Sequence, residues 1–296
     1  MNVDPAPHHE GRTMHLLSNG VPIPFERFAP MRESSALIDD PEAMREQFQK
    51  DGYVYLKGVV DRDQVMALRA KYFSMFDSSY LQEGTTPEQG IFSGKLPAGL
   101  PGHGVAGHPA HTLVRTKEFA DFVSNPALAR VAKVLLQAEV FQLPRQILRH
   151  FHKDSHMSSR AHTDFVYMDR GSENIVTMWL PIGDCPVESG GLVYLEGSAT
   201  IPQSDLSVLK SVRTDRPGDA RPISHDLGWT ADQLGGNWLY ANYEAGDIAV
   251  HSPHLVHASL DTTTDAMRMS ADIRFLPTTV EPDPRWLTPW SGDDGN

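Results

Sequence analysis

Cysteine is almost absent. Cys185 stands alone among 296 residues, which excludes an intrachain disulfide and a zinc cluster built from thiolates. We read Cys185 as a small buried side chain rather than a nucleophile, because no histidine in the sequence identifies itself as its partner. Positive charge is also scarce. Lys and Arg number 26 against 38 Asp and Glu, a net charge of −12, and that balance argues against a broad nucleic-acid surface. No apolar run approaches the roughly 20 residues of a membrane span. Residues 1–24 hold no apolar core of a secretory signal. The expected address is therefore cytoplasmic, with no nucleic-acid or membrane partner. No internal repeat is evident. What is present, 40% hydrophobic and 22% charged residues, is ordinary for a soluble globular chain. A single domain over 1–296 is expected.

The order of elements is helices first, strands later. Residues 1–35 read as an arm packed on the domain. Asp40-Pro41 opens a helix to about Gln49, and Asp51-Gly52 ends it. Tyr53 to Leu56 is a short strand. Asp61 to Phe76 repeats Val65, Leu68, Tyr72 and Phe73 at helical spacing. From 80 to 111 glycine and proline dissolve the pattern, and the segment reads as a lid loop. His103, His108 and His111 in it are candidate substrate contacts. Two helical pieces follow, broken at Asn125-Pro126. Strands are expected at 140–143, 146–151, 165–168, 175–180, 192–195, 246–250 and 269–275, with an irregular insert over 200–243. The fold class expected is mostly β with flanking helices.

Chemistry enters at Ala161-His162-Thr163-Asp164-Phe165. On a strand, residues two apart share a face, so His162 and Asp164 can grip one metal ion. Two histidines and one carboxylate on one side leave open positions opposite, the donor set of non-haem iron(II) oxygenases. His251, His254 and His257 are the candidates for the second histidine. Arg268 follows beyond the turn signal Asp261 to Asp265. Two antiparallel strands joined there would bring Arg268 and Ser259 near the metal, and a guanidinium suits a bidentate grip on a carboxylate. Arg274 either does the same or forms a structural ion pair.

The ordered series His162-x-Asp164, Trp179-Leu180-Pro181-Ile182, Glu188-Ser189-Gly190-Gly191-Leu192, Gly246-Asp247, His257-x-Ser259 and Arg268-x-Ser270-x-Asp272-x-Arg274-Phe275 resembles the phytanoyl-CoA dioxygenase family. Asp51-Gly52-Tyr53-Val54 resembles that family's opening strand. The resemblance implies a double-stranded β-helix (jelly-roll, cupin-like) core and an enzyme using Fe(II), 2-oxoglutarate and O2. It implies His162, Asp164 and His257 as metal ligands, with His254 the main rival and His251 last. It implies Arg268 and Ser259 on the distal carboxylate of 2-oxoglutarate, and Trp179 beside it. The polar contact expected on the preceding strand has Arg149, His150 and His152 as candidates, with Lys153 out of register. A carboxylate at 164 stands where related halogenases carry a small residue, which argues against halogenation. The reaction implied is hydroxylation of a small polar, specialised (secondary) metabolite with release of succinate and CO2. Desaturation, epimerisation or oxidative cyclisation with the same cofactors is the alternative. A non-catalytic jelly-roll binding protein is the rival of another class. Glu83, Glu88, Asp205 and Asp215 read as solvated surface rather than as an attractor for a cationic substrate.

Overall fold

The computed structural model describes residues 16–212 and 221–292. Asp215 and the first 15 residues of the arm lie outside them. Described in chain order, the strands are β1 (Leu16–Ser18), β2 (Val21–Ile23), β3 (Phe28–Pro30), β4 (Tyr53–Leu56), β5 (Val140–Gln142), β6 (Ile147–Phe151), β7 (Val176–Pro181), β8 (Leu192–Leu195), β9 (Trp238–Tyr240), β10 (Ile248–His251), β11 (His257–Ser259) and β12 (Arg268–Pro277). The α-helices are α1 (Pro41–Asp51), α2 (Arg62–Phe73), α3 (Pro109–Leu113), α4 (Lys117–Val123), α5 (Pro126–Leu136), α6 (Gln203–Val212) and α7 (Leu227–Leu234).

Local chemistry sets the helix ends. The Asp40 carboxylate accepts from the Ala43 amide at 3.1 Å, and Pro41 costs nothing where its missing N–H would be unpaired anyway. Asp61 and Asn125 cap α2 and α5 in the same manner. Gly52 ends α1 in the left-handed region, φ 77°, its amide bonded to the Phe48 carbonyl. A Cβ there would lie 2.4 Å from the Ala199 Cβ. Gly52→Ala combines left-handed strain with overpacking, so it should destabilise the fold by about 3 kcal/mol. The expected result is a lower urea midpoint at an unchanged slope.

Two sheets face each other. The larger runs β4-β10-β7-β12-β5, with β6 also paired to β12 beside β5; the smaller runs β11-β8-β9-β3. β12 is the spine, antiparallel to β7, β5 and β6 and buried along all of its ten residues. Its alternation decides what each face does. Met269, Ala271, Ile273 and Phe275 join the apolar core beneath α2, α4 and α5. Arg268, Ser270, Asp272 and Arg274 point the other way, between the sheets. The neighbouring strands keep the same rule. Val176, Met178 and Leu180 of β7 and Ile248 and Val250 of β10 face the helices, while Thr177, Trp179 and His251 line the space between the sheets.

Three expectations change. The described parts of 200–243, residues 200–212 and 221–243, are not irregular: α6, α7 and β9 lie there, and Leu206, Leu227, Ala231 and Trp238 cover the outer face of the smaller sheet. The two helices are short, which hides their period, but Asp226 caps α7 through the Trp229 amide at 2.9 Å. Residues 165–168 form a 3-10 turn over Asp164–Tyr167 instead of a strand; the Phe165 amide goes to the Pro253 carbonyl rather than to a ladder. β11 and β12 are not a hairpin. They belong to different sheets, and the Asp261 to Asp265 stretch carries the chain from one to the other. The arm supplies the β1-β2 hairpin and β3, which pairs in parallel with β9.

Candidate metal centre

His162, Asp164 and His257 offer ligand atoms within 4.8 Å of one another. The two histidines are backbone partners where the chain through Ser159 and His162 runs antiparallel along β11, the edge strand of the smaller sheet. The His162 amide donates to the His257 carbonyl at 3.0 Å, and the His257 amide donates back at 2.9 Å. Asp164 opens the 3-10 turn, so the pair two residues apart converges through a bend and not along a strand.

Each imidazole is held in one tautomer. His162 Nδ1 donates to the Arg160 carbonyl at 2.6 Å, and His257 Nδ1 to the Leu255 carbonyl at 3.0 Å. Both Nε2 atoms are then lone-pair donors, 4.0 and 3.7 Å from Asp164 Oδ1. Burial lowers the pKa of both rings, which keeps them neutral. Burial works against the charge on Asp164, yet the Arg274 cation leads the groups that hold its carboxyl well below the usual range. Thr177 Oγ1 donates to Asp164 Oδ2 at 2.5 Å, and Arg274 Nη2 bonds both carboxylate oxygens at 3.3 and 3.2 Å. Two neutral imidazoles with fixed outward hydrogen bonds and one ionised carboxylate fit a divalent transition metal.

The same narrow pocket holds Arg268, Ser259, Trp179, Arg149 and His251. Arg268 is 2% exposed. Its Nε donates to the Gly190 carbonyl at 3.0 Å and its Nη1 to Ser270 Oγ at 2.9 Å. Nη2 has no partner, and burial pushes the guanidinium down to about 10. Gly190 has φ 84°, and a Cβ there would meet the Leu260 carbonyl at 2.5 Å; glycine lets this backbone turn tightly enough to present its carbonyl to Arg268. Ser259 Oγ accepts from the Ser159 amide at 2.8 Å. Trp179 packs on Tyr243, with ring centroids 4.7 Å apart. Arg149 is paired with Asp272 at 3.0 Å.

The other candidates are placed as follows. His254 lies outside the pocket, bonded to Glu173 and stacked on Phe165. His251, placed last on sequence, is buried beside the metal ligands, with Nε2 3.5 Å from Asp164 Oδ2 and Nδ1 on the Tyr194 hydroxyl. Arg274 is an ion-pair partner of Asp164. His150 sits between the Tyr72 and Tyr80 hydroxyls at 3.0 Å each. His152 stacks on Phe92, and Lys153 pairs with Asp265 at the surface.

A second cavity of about 720 Å³ opens onto His162, Asp164 and Arg274. The 80–111 segment reaches it through Leu96, Leu100, Pro101, His103 and His108, but not His111. His103 is bonded to the Leu148 carbonyl, and His108 accepts from the Ala110 amide. Trp286 and Trp290 form part of the wall. Sequence reasoning passed over both, together with Arg160 and Thr177, and ranked His251 last. The tryptophans carried one signal: two large aromatics in a proline-rich tail have no helical or strand periodicity of their own to serve.

His150 also sets a pH dependence. Burial holds its pKa well below the ordinary histidine value, so below about pH 6.5 the unfolded chain takes up a proton that the folded chain refuses. Stability should fall as pH drops from about 6.5 and not change on this account above it. Urea midpoints of wild type and His150→Phe should show a shallower slope in the variant.

Comparison with known proteins gives a family and a fold. The family described as phytanoyl-CoA dioxygenase (PhyH) matches residues 48–270. A 1-deoxypentalenic acid 11-beta-hydroxylase of Streptomyces arenae is 24% identical over 286 residues, covering 90% of this chain and 91% of its own. The enzyme of that name from Streptomyces exfoliatus is 24% identical over 267 residues, covering 87% and 89%. The non-haem α-ketoglutarate-dependent epimerase SnoN from nogalamycin biosynthesis superposes with a TM-score of 0.58 at 18% identity, over 83% of this chain and 86% of that one. The carbocyclase SnoK from the same biosynthesis gives 0.56 at 17%, over 86% and 90%. At these identities the structural likeness is one of fold.

Proposed function

Because the chain belongs to the phytanoyl-CoA dioxygenase family over residues 48–270, we propose that it hydroxylates a small specialised metabolite, using Fe(II), O2 and 2-oxoglutarate and releasing succinate and CO2. The two facing sheets are read as the halves of a double-stranded β-helix. His162, Asp164 and His257 would hold the iron. Arg268 would take the distal carboxylate of 2-oxoglutarate, with Ser259 donating its hydroxyl hydrogen alongside and Trp179 as the wall.

Bound iron with 2-oxoglutarate and O2 supplies the oxidising power for C–H functionalisation. The protein supplies placement. The Arg160 and Leu255 carbonyls aim the two imidazoles, and Thr177 and Arg274 keep Asp164 ionised. Burial of the inner pocket removes water from around Arg268, which strengthens its attraction for a carboxylate. The single observation that carries the reading is the unpartnered Nη2 of buried Arg268 in the pocket that holds the three metal-type donors. A buried cation missing an acceptor is costly unless a ligand completes it.

The test is succinate formation. Protein loaded anaerobically with Fe(II) and 2-oxoglutarate is exposed to O2 with a panel of candidate metabolites. Succinate above the metal-free blank is expected, and none with any candidate would sink the oxygenase reading. Product mass reads the outcome: a gain of one oxygen is hydroxylation, a loss of hydrogen is desaturation or cyclisation, and no change is epimerisation.

A further inference from the structure

We propose that the outer cavity is built for a carboxylic acid with an apolar body, the acid group being received by Arg160 and Arg274. The proposal rests on the oxygenase reading for the location of substrate, and it goes beyond that reading by naming the substrate's charge.

The first observation is the charge on the wall. Three arginines line the cavity (Arg149, Arg160 and Arg274), and Asp164 is the one carboxylate among the lining residues. Glu83, Glu88 and Asp205 are not on that wall. Arg149 is neutralised by Asp272. With iron and 2-oxoglutarate in place, the divalent metal and Arg268 together balance Asp164 and the two carboxylates of the co-substrate. Arg274 then shares an acid whose charge is already compensated, and Arg160 has no acid partner among the described residues. The loaded site keeps a surplus of positive charge where substrate must sit.

The second observation is hydrogen bonding. Arg274 is 3% exposed, and its Nε and Nη1 have no partner. Its guanidinium lies 4.2 Å from the ring centroid of Trp286, which fixes the plane of the fork. Arg160 Nη1 and Trp290 Nε1 are also buried without partners. Every one of these atoms is a donor. Unpartnered donors on three residues that line the cavity call for a ligand rich in acceptors, and a carboxylate offers two oxygens to a guanidinium fork. A cationic substrate is disfavoured by the same atoms.

The third is the rest of the wall. Leu96, Leu100, Ile147, Phe151, Trp286 and Trp290 are apolar. Leu96 and Met157, 61% and 75% exposed, also line the cavity and lead from solvent into it. The volume of about 720 Å³ is that of a drug-sized ligand site. The substrate's body is accordingly apolar, which departs from the small polar metabolite expected from sequence.

The test uses matched probes on the full chain with Fe(II) and 2-oxoglutarate under anaerobic conditions. Cyclohexylacetate and 1-adamantanecarboxylate are titrated against their primary carboxamides and against cyclohexyl phosphate, by calorimetry and by tryptophan fluorescence. At least one acid should bind about 30-fold or more tighter than its amide. Arg160→Met should remove most of that advantage, leave amide and 2-oxoglutarate binding unchanged, and be partly rescued by Arg160→Lys. Equal affinity of acids and amides, or failure of every acid to bind while 2-oxoglutarate still binds, overturns the proposal. Tighter binding of the phosphate than of either acid overturns the carboxylate assignment. Loss of 2-oxoglutarate binding in the unaltered protein would instead sink the oxygenase reading itself.

Discussion

His257→Ala is expected to abolish Fe(II) binding and turnover, and His254→Ala to leave both near the unaltered level. His257 Nε2 lies 3.7 Å from Asp164 Oδ1 in a buried pocket, whereas His254 is bonded to Glu173 outside it. Disturbing a group that merely orients a metal ligand costs about 10- to 100-fold in affinity, so deleting a ligand should cost more. Asp164→Ala should be worse in a second respect. It removes the acid that Arg274 and Thr177 address, and a buried arginine stripped of its partner destabilises by about 3–5 kcal/mol. Equilibrium dialysis of Fe(II) and thermal unfolding, measured on all three variants, separate the two effects. Iron lost from His254→Ala but kept by His257→Ala would move the ligand to position 254.

Arg268→Met should divide binding from stability in the opposite way. Without co-substrate, Arg268 is a buried cation with one unpartnered nitrogen. An apolar side chain of similar length relieves that cost, so the melting temperature without 2-oxoglutarate should hold or rise. Affinity for 2-oxoglutarate should fall by about 100- to 1,000-fold, the usual consequence of removing one member of a buried charge pair. The thermal shift that 2-oxoglutarate gives the unaltered protein should vanish with it. Iron affinity should stay. Equal losses for iron and 2-oxoglutarate would make Arg268 structural.

The helices were legible because their ends are written in local chemistry. Asp40, Asp61 and Asn125 sit where caps are expected, and Gly52 stops α1. The strands of the larger sheet were legible from alternation. The insert was not, because α6 and α7 are too short for a period to stand out and because α7 is defined by the Asp226 cap and its packing on Trp238. The turn at Asp164 was hidden for another reason. Phe165-Val166-Tyr167 has strand composition, and only the Pro253 carbonyl, remote in sequence, diverts its backbone. His162, Asp164, His257 and Arg268 could be picked out by residue type and order. His251 could not be ranked properly, since its place beside Asp164 depends on the register of β10 against β7. Trp286 and Trp290 belong to a wall that exists only once the tail folds back over the sheets.

β12 separates two tasks by parity. From Arg268 to Phe275 its odd-numbered members bind the sheet to the helices, and its even-numbered members carry Arg268, Asp272 and Arg274 into the interior. Selection can therefore rewrite what the even positions recognise while the packing held by Met269, Ala271, Ile273 and Phe275 stays as it is. A deletion or insertion of one residue within β12, between Met269 and Ile273, has no such freedom, because beyond it the two sets would be exchanged and core and site lost together. On this strand, change of specificity is open to substitution and closed to shifts in length.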